Sequence, residues 1–227
     1  MLNLKVLSGS MIAVLLAIGS DLGAISTPGA AVAPVATNAL PEAVKVAQKT
    51  PSASLTISDR GIGEAKVGMT FGELKKALGS TAQFKVESSF ADFNAVAVSQ
   101  SGKVQYRIIY PATNRMTYPA LTLLKDTDVI EDLMTDNPNY KTVEGVGPGM
   151  TLKQAEAIYG KATLSYNVDN ESREGVVFAN QPTKKFWFAP KAEGKQFAGV
   201  YGASQGSFYK TNKYQPNAVI RSVLVRK

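Results

Sequence analysis

The sequence predicts an α+β protein built from two tandem units, each a short capped helix followed by an antiparallel β-meander. Residues 68–79 begin Gly-Met-Thr and end in Gly, and residues 149–160 repeat both features. In each copy the Thr is followed three residues later by Glu or Gln, which is the capping-box pattern of a helix start. Alternating apolar and polar residues, typical of strands, follow each copy. The two copies therefore indicate a duplicated segment.

The first 54 residues are typical of an exported protein rather than of a folded domain. Lys5 supplies a positive start, residues 6–18 are mostly apolar, and a region rich in Ala, Gly, Ser and Pro follows. This order predicts a signal peptide or export segment over 1–39, with an uncleaved N-terminal anchor as the alternative. The apolar run is too short for a convincing membrane span, so we expect no transmembrane segment in the mature chain. Residues 40–54 are predicted to be a linker.

The two predicted units occupy residues 55–139 and 140–227. Both are expected to contain a helix, a meander of three strands and a closing strand, because alternation returns after each helix. The closing segments 129–134 and 219–224 also resemble each other. The predicted strands of the first unit are 82–87, 95–98, 104–110 and 128–134. Those of the second unit are 163–168, 175–179, 184–189, 197–201 and 217–225.

Composition excludes several classes of enzyme and metal site. The chain has no Cys and no His. It therefore has no disulfide, thiol nucleophile, histidine-dependent triad or His-ligated zinc site, and we expect no cofactor.

Two short motifs resemble functional sites but lack residues that such sites require. Asp126, Asp128, Glu131 and Asp132 form an acidic cluster, but it lacks the glycine and the spacing of a calcium loop, so no metal is expected. Ser207 and Lys210 have the Ser-x-x-Lys spacing of serine acylases, but the companion motifs are missing. We therefore predict that the protein is not an enzyme; a histidine-independent hydrolase is kept as an alternative.

Charge and aromatic residues are concentrated in the second predicted unit. Residues 140–227 hold 13 Lys/Arg against 6 Asp/Glu, whereas residues 51–139 are near balance with 9 against 10. The second unit also holds 12 of the 19 aromatic residues. A basic, aromatic-rich sheet face in this unit is therefore the predicted contact surface.

Four residues are the predicted contacts on that face. In residues 184–188, alternation directs Phe186 and Phe188 to one side of a strand and Lys185 and Trp187 to the other. The predicted binding residues are Lys185 and Trp187, followed by Tyr201 and Tyr209. If Trp187 lies on the surface, Trp187→Ala is expected to weaken partner binding with little change in melting temperature.

The paired motifs resemble two known groups of proteins. Gly68, Thr70, Leu74 and Gly79, repeated at Gly149, Thr151, Ala155 and Gly160, are similar to the helix motif of the small outer-membrane-assembly lipoprotein family. The tandem arrangement resembles the β-lactamase inhibitory proteins. That resemblance implies two such units forming one sheet with a concave binding face. The anchoring Cys of the lipoproteins and the disulfides of the inhibitors are absent here.

The sequence thus predicts an exported, non-enzymatic binding protein of the periplasm or cell envelope. Its expected partner is a protein or an anionic envelope component, and not a nucleic acid, because no RNA-binding signature or run of basic residues is present. Inhibition of an extracytoplasmic hydrolase is the alternative that the resemblance implies.

Overall fold

The computed structural model describes residues 55–90, 93–111, 124–203 and 206–227. The predicted export segment (1–39) and linker (40–54) lie outside these residues. The boundary between residues 139 and 140 stays a prediction.

Both predicted helices are confirmed: α1 spans Phe71–Leu78 and α2 spans Leu152–Tyr159. Each begins with the capping box. The Thr hydroxyl accepts a hydrogen bond from the N–H three residues on, at 3.2 Å in both helices. The Glu or Gln side chain accepts from the N–H of the Thr in return. These contacts satisfy backbone donors that a helix start leaves unpaired.

The described residues contain thirteen strands. They are β1 (Thr56–Ser58), β2 (Gly61–Ile62), β3 (Ala65–Lys66), β4 (Ala82–Phe90), β5 (Phe93–Gln100), β6 (Lys103–Pro111), β7 (Asp132–Thr135), β8 (Lys141–Thr142), β9 (Ala162–Asn167), β10 (Gly175–Phe178), β11 (Phe186–Lys191), β12 (Phe208–Thr211) and β13 (Val219–Arg226). One sheet has four strands in the order β3-β2-β1-β8. The other has nine in the order β12-β9-β10-β11-β13-β7-β6-β5-β4.

The predicted fold class is wrong. Among the described residues the structure is mostly β, with 45% in strands and 14% helical, and it is not an α+β protein of two helix-plus-meander units. The physical reason is long-range pairing, because β7 and β13 pair antiparallel through Leu133 with Val225 and Met134 with Leu224. This pairing joins the strands on either side into a single sheet. The short strand β8 also pairs in parallel with β1, forming a second sheet that was not predicted.

Most strand positions were predicted within a few residues, but the region after β11 was not. The predicted strand 197–201 is wrong, because there only Gly199 forms a bridge, an isolated one with Tyr214. The edge strand is instead β12, which pairs with β9.

The nine-stranded sheet has one face covered by the helices and the four-stranded sheet. A continuous core on that face takes Phe71 and Leu74 from α1, Leu152 and Tyr159 from α2, and Ile57 from β1. Alternate strand residues point to the other side of the sheet. We refer to that other side as the open face, because neither α-helix and no second sheet among the described residues packs over it.

A β-bulge in the middle of the sheet changes which side chains reach the open face. The pairing of β11 with β13 shifts between Ala189 and Pro190, which pair with Ser222 and Ile220 respectively. Proline has no N–H to donate to a neighbouring strand and occurs at bulges for that reason. The extra residue on β13 is Arg221, and both Arg221 and Ser222 line the same depression of the open face.

Candidate functional site

The open face carries a depression of about 410 Å³ that is lined in part by Trp187. We call it the Trp187 depression. Its apolar floor contains Ile109 and Leu224, which are only 6% and 7% exposed. Met134, Phe93 and Trp187 pack against them as a small cluster separate from the main core. Such a cluster on the side of a sheet away from the helices makes this the candidate binding site.

Trp187 owes its position to a glycine on the neighbouring strand. The indole ring lies against the backbone of Gly175, where a Cβ would stand 2.3 Å from the indole Nε1. Trp187 is half-buried, whereas Phe186 and Phe188 on either side are buried in the main core. The predicted alternation along this strand is therefore confirmed. The ring forms one wall of the depression and packs against part of its floor.

A carboxylate and an arginine face each other at one side of the depression. Asp132 on β7 is the register partner of Arg226 on β13. Partial burial raises the pKa of the Asp132 carboxyl, and the positive charge of Arg226 opposes this rise. Within the described residues, the Arg226 guanidinium makes no hydrogen bond and no ion pair shorter than 4 Å. Its N–H groups are therefore available to a ligand.

A second arginine, Arg173, also lines the depression. Its guanidinium stands over the Phe93 ring at 5.7 Å and 3.5 Å from a carboxylate oxygen of Glu171. It also donates to the side chain of Asn170. Arg173 is thus held in place and forms a fixed positive wall.

A second depression of about 310 Å³ adjoins the first and shares Met134 with it. We call it the Arg107 depression. Arg107 donates to Glu87 at 3.1 Å and to Asp136 at 3.0 Å. The exposed Arg221 at its other side makes no side-chain contact of this kind with any described residue. The two depressions form one extended surface.

Charges in the two depressions nearly balance. Among the described residues their linings contain four arginines and three carboxylates. The chain has six arginines in all. The linings are thus rich in arginine without being strongly basic. The arginines are Arg107, Arg173, Arg221 and Arg226, and the carboxylates are Glu87, Asp132 and Asp136.

The structure separates the four predicted contact residues. Lys185 is exposed and immediately precedes β11, and Trp187 lies in the depression. Tyr209 pairs with Tyr166 on the helix-covered side of the sheet, since Tyr166 lies two residues from the buried Leu164. Tyr201 and Tyr209 therefore do not extend the surface formed by Trp187.

Tyr201 and Tyr209 belong instead to an aromatic stack. The Tyr166 ring lies parallel to Tyr209 at 4.6 Å and to Phe197 at 4.2 Å, and Tyr201 meets it edge-on at 4.8 Å. The Tyr201 hydroxyl donates to Glu174 at 2.7 Å. Burial and this hydrogen bond raise the pKa of Tyr201. These contacts tie the loop before β12 to the sheet, which is a structural task.

In the described structure, the side chains of the acidic cluster do not converge on one point, and neither do those of Ser207 and Lys210. Asp126 pairs with Lys75, and Asp128 accepts from the N–H of Lys125. No group of three or more metal-ligating side chains occurs among the described residues. Lys210 lies within β12, whereas Ser207 immediately precedes this strand. The two are three positions apart, and residues an odd number of positions apart point to opposite sides of a strand. The Ser-x-x-Lys pair is therefore divided between the two sides of the strand.

The arginines and the apolar floor were missed by sequence reasoning. Ile109, Met134 and Leu224 come together only through the pairing of β6, β7 and β13. One local signal was present for Arg221: Pro190 within an apolar strand indicates a bulge. The facing strand was not known, so this signal did not identify which residue would be displaced.

Within the described residues, no helix is both long enough and apolar enough to cross a membrane. No protein-family model matches the chain, and no curated protein matches it. Among solved structures, the chain is similar to the uncharacterized protein yfeY from Escherichia coli. The sequence identity is 11% and the TM-score 0.44, and the match covers 76% of this chain and 99% of that one. Nothing in these comparisons points to catalysis.

Proposed function

We propose that this protein is an exported, non-enzymatic binding protein of the periplasm or cell envelope. In this proposal it binds its partner through the open face of the nine-stranded sheet, at the Trp187 depression. The supporting observation is a half-buried tryptophan beside an apolar floor and two arginines, on a side of the sheet that is covered by neither α-helix and by no second sheet among the described residues.

The composition of the site fits protein binding better than other roles. Tryptophan and arginine are the residues most enriched among those that dominate binding energy at protein interfaces. The depression adjoins the Arg107 depression, with which it shares Met134, so the two offer an extended surface to a partner. The export part of the proposal is supported by the sequence of residues 1–39.

The binding proposal is tested by photo-crosslinking in the native host. The photoreactive residue p-benzoylphenylalanine replaces Val177, which is 51% exposed and lies on the open face between the buried Val176 and Phe178. A matched probe replaces Ile158, which is 43% exposed on α2. We expect light-dependent adducts to another molecule from position 177 and none from position 158. Equal labelling from both positions, or none from 177, contradicts the proposal.

The export part needs its own measurement. Cell fractionation with antibody against the full chain is expected to recover the protein outside the cytoplasm. Replacing Leu15 and Leu16 by Asp should retain it in the cytoplasm, because a signal peptide depends on its apolar core. An unchanged distribution of that variant would contradict export through this segment.

A further inference from the structure

We propose that the occupant of the open face is an acidic protein segment in which two carboxylates flank one apolar side chain. The carboxylates bind Arg221 and Arg226, and the apolar side chain packs on Leu224 and Trp187. This inference rests on the proposed function and specifies the partner for the same surface.

The two arginines form no ion pair within the described residues, although Arg226 lies opposite Asp132 and its charge acts on that carboxyl. Arg107 is already held by Glu87 and Asp136, and Arg173 by Glu171. Among the described residues, Arg221 and Arg226 have no ion pair. Since a guanidinium binds a carboxylate through two parallel N–H groups, each offers a directional acceptor site to a partner.

The geometry of β13 sets the spacing of the partner's groups. Arg226 and Leu224 are two residues apart and share the open face by alternation. The bulge at Pro190 turns Arg221 onto the same face, at the other side of Leu224. Arg221 and Arg226 are five positions apart, or four if the bulged residue adds no length, which corresponds to about 13–17 Å at about 3.3 Å per residue. An extended segment with acidic residues at positions one and five and an apolar residue at position three matches this spacing.

The mixed charges of the surface favour a protein over a uniform anionic partner. Glu87, Asp132 and Asp136 lie between and beside the arginines. A lipid surface or polyanion presents negative charge everywhere, so these carboxylates repel it while the arginines attract it. A protein segment can place its carboxylates at the arginines alone, which is how alternating charges select a partner.

Charge also disfavours other parts of this chain as the occupant. Residues 112–123 contain Arg115 and no acidic residue, and residues 1–54 contain only Asp21 and Glu42, which are 21 positions apart. Neither segment supplies two carboxylates at the spacing that Arg221 and Arg226 require.

The experiment uses intrinsic fluorescence of the full-length protein, because Trp187 is the single tryptophan of the chain. The probe is the peptide acetyl-Asp-Gly-Phe-Gly-Asp-amide. In one control peptide both Asp residues are replaced by Asn, and in the other the Phe is replaced by Gly. At low salt we expect a saturable change in Trp187 emission, with the acidic Phe peptide binding about fivefold or more tightly than either control.

Protein variants then test the assigned contacts. Arg221→Gln and Arg226→Gln are each expected to weaken the acidic peptide about two- to fivefold and to leave the Asn peptide unaffected. The matched control is Lys153→Gln, an exposed cation on α2. If Lys153→Gln weakened binding of the acidic peptide as much as the arginine variants do, net charge alone would be responsible and the proposal would be overturned.

The failure of this inference is distinguishable from the failure of the proposed function. If adducts still form from position 177 but the acidic and Asn peptides bind alike, or neither binds, the partner class is wrong and the function stands. Stronger binding to phosphatidylglycerol vesicles than to the peptide, independent of Arg221 and Arg226, likewise overturns the partner class. So does a position-177 adduct joining the chain to itself or to a second copy. If position 177 yields no adduct at all, the proposed function fails as well.

Discussion

The contact between Gly175 and Trp187 gives the sharpest prediction, made for Gly175→Ala. An added Cβ would lie 2.3 Å from the indole Nε1 and 2.8 Å from Cε2. Ordinary contact between such atoms begins at about 3.5 Å. The ring must therefore move outward by more than about 1 Å and lose part of its packing against the cluster that contains Leu224.

Two opposing effects determine the size of the stability change. Crowding of a packed site typically costs about 1–3 kcal/mol. Replacing glycine by alanine where the backbone allows it stabilises by about 0.4–1 kcal/mol, and Gly175 does not have a left-handed φ. The steric effect is larger, so we expect a net loss of about 1–2 kcal/mol. For a domain of this size that lowers the melting temperature by roughly 2–8 °C.

Thermal unfolding and tryptophan emission measure the two consequences separately. We expect a lower melting temperature and emission shifted to longer wavelength, because the displaced ring meets more water. The matched control is Gly202→Ala, where no atom lies within 4 Å of the added Cβ and φ is not left-handed. That variant should unfold within about 0.5 kcal/mol of the parent.

A double-mutant cycle decides whether the ring is the cause. In a Trp187→Ala background the clash is absent, so Gly175→Ala should no longer destabilise. If Gly175→Ala costs the same free energy with and without the indole, then the contact is not responsible and this account of the site is wrong.

Three further predictions concern parts of the structure away from this contact. The pKa of the Asp132 carboxyl is raised in the folded protein. This group therefore stabilises the fold fully at pH values below its pKa in the unfolded chain, and that stabilisation is lost as the pH rises through its pKa in the folded protein. Asp132→Asn should therefore be more stable than the parent at pH 7 and lose this advantage towards pH 4, as melting curves can show; a pH-independent difference would contradict it. Tyr159→Phe removes hydroxyl contacts to Thr142 at 2.6 Å and Glu144 at 2.5 Å and should cost about 1–2 kcal/mol in urea unfolding. Thr70→Ala and Thr151→Ala should each cost about 1 kcal/mol, because both caps make the same two contacts with backbone N–H groups.

Local features were predictable from the sequence because they depend on neighbouring residues. The capping boxes at Thr70 and Thr151 need only a residue three positions away, and the two sides of β11 follow from alternation. The fold class depended on pairing between β7 and β13, about 90 residues apart in the chain, and no local pattern reveals such pairing. The two repeated helices therefore did not indicate the fold class, because strands predominate among the described residues.

The site was predictable only in part, for the same reason. Trp187 was found because a single strand carries the signal. Its partners Ile109 and Leu224 reach it from β6 and β13, and Arg221 reaches the open face through a bulge that follows from Pro190. Tyr201 and Tyr209 were misplaced beside Trp187 because aromatic content alone does not specify a side of the sheet. Their stacking with Tyr166 needed the pairing of β12 with β9.

Trp187 has both a structural and a proposed binding role. The structure indicates that binding should be tested at residues other than Trp187. The ring packs against the small cluster that contains Leu224, its register partner on β13, on a side of the sheet without helices. Trp187→Ala should therefore lower stability by about 1–3 kcal/mol, contrary to the expectation of little change drawn from the sequence. Binding is better tested at Val177, Arg221 and Arg226, which are exposed and contribute little to the core. A surface on which the central aromatic stabilises the fold while its neighbours are free to contact a partner is consistent with a preformed binding face.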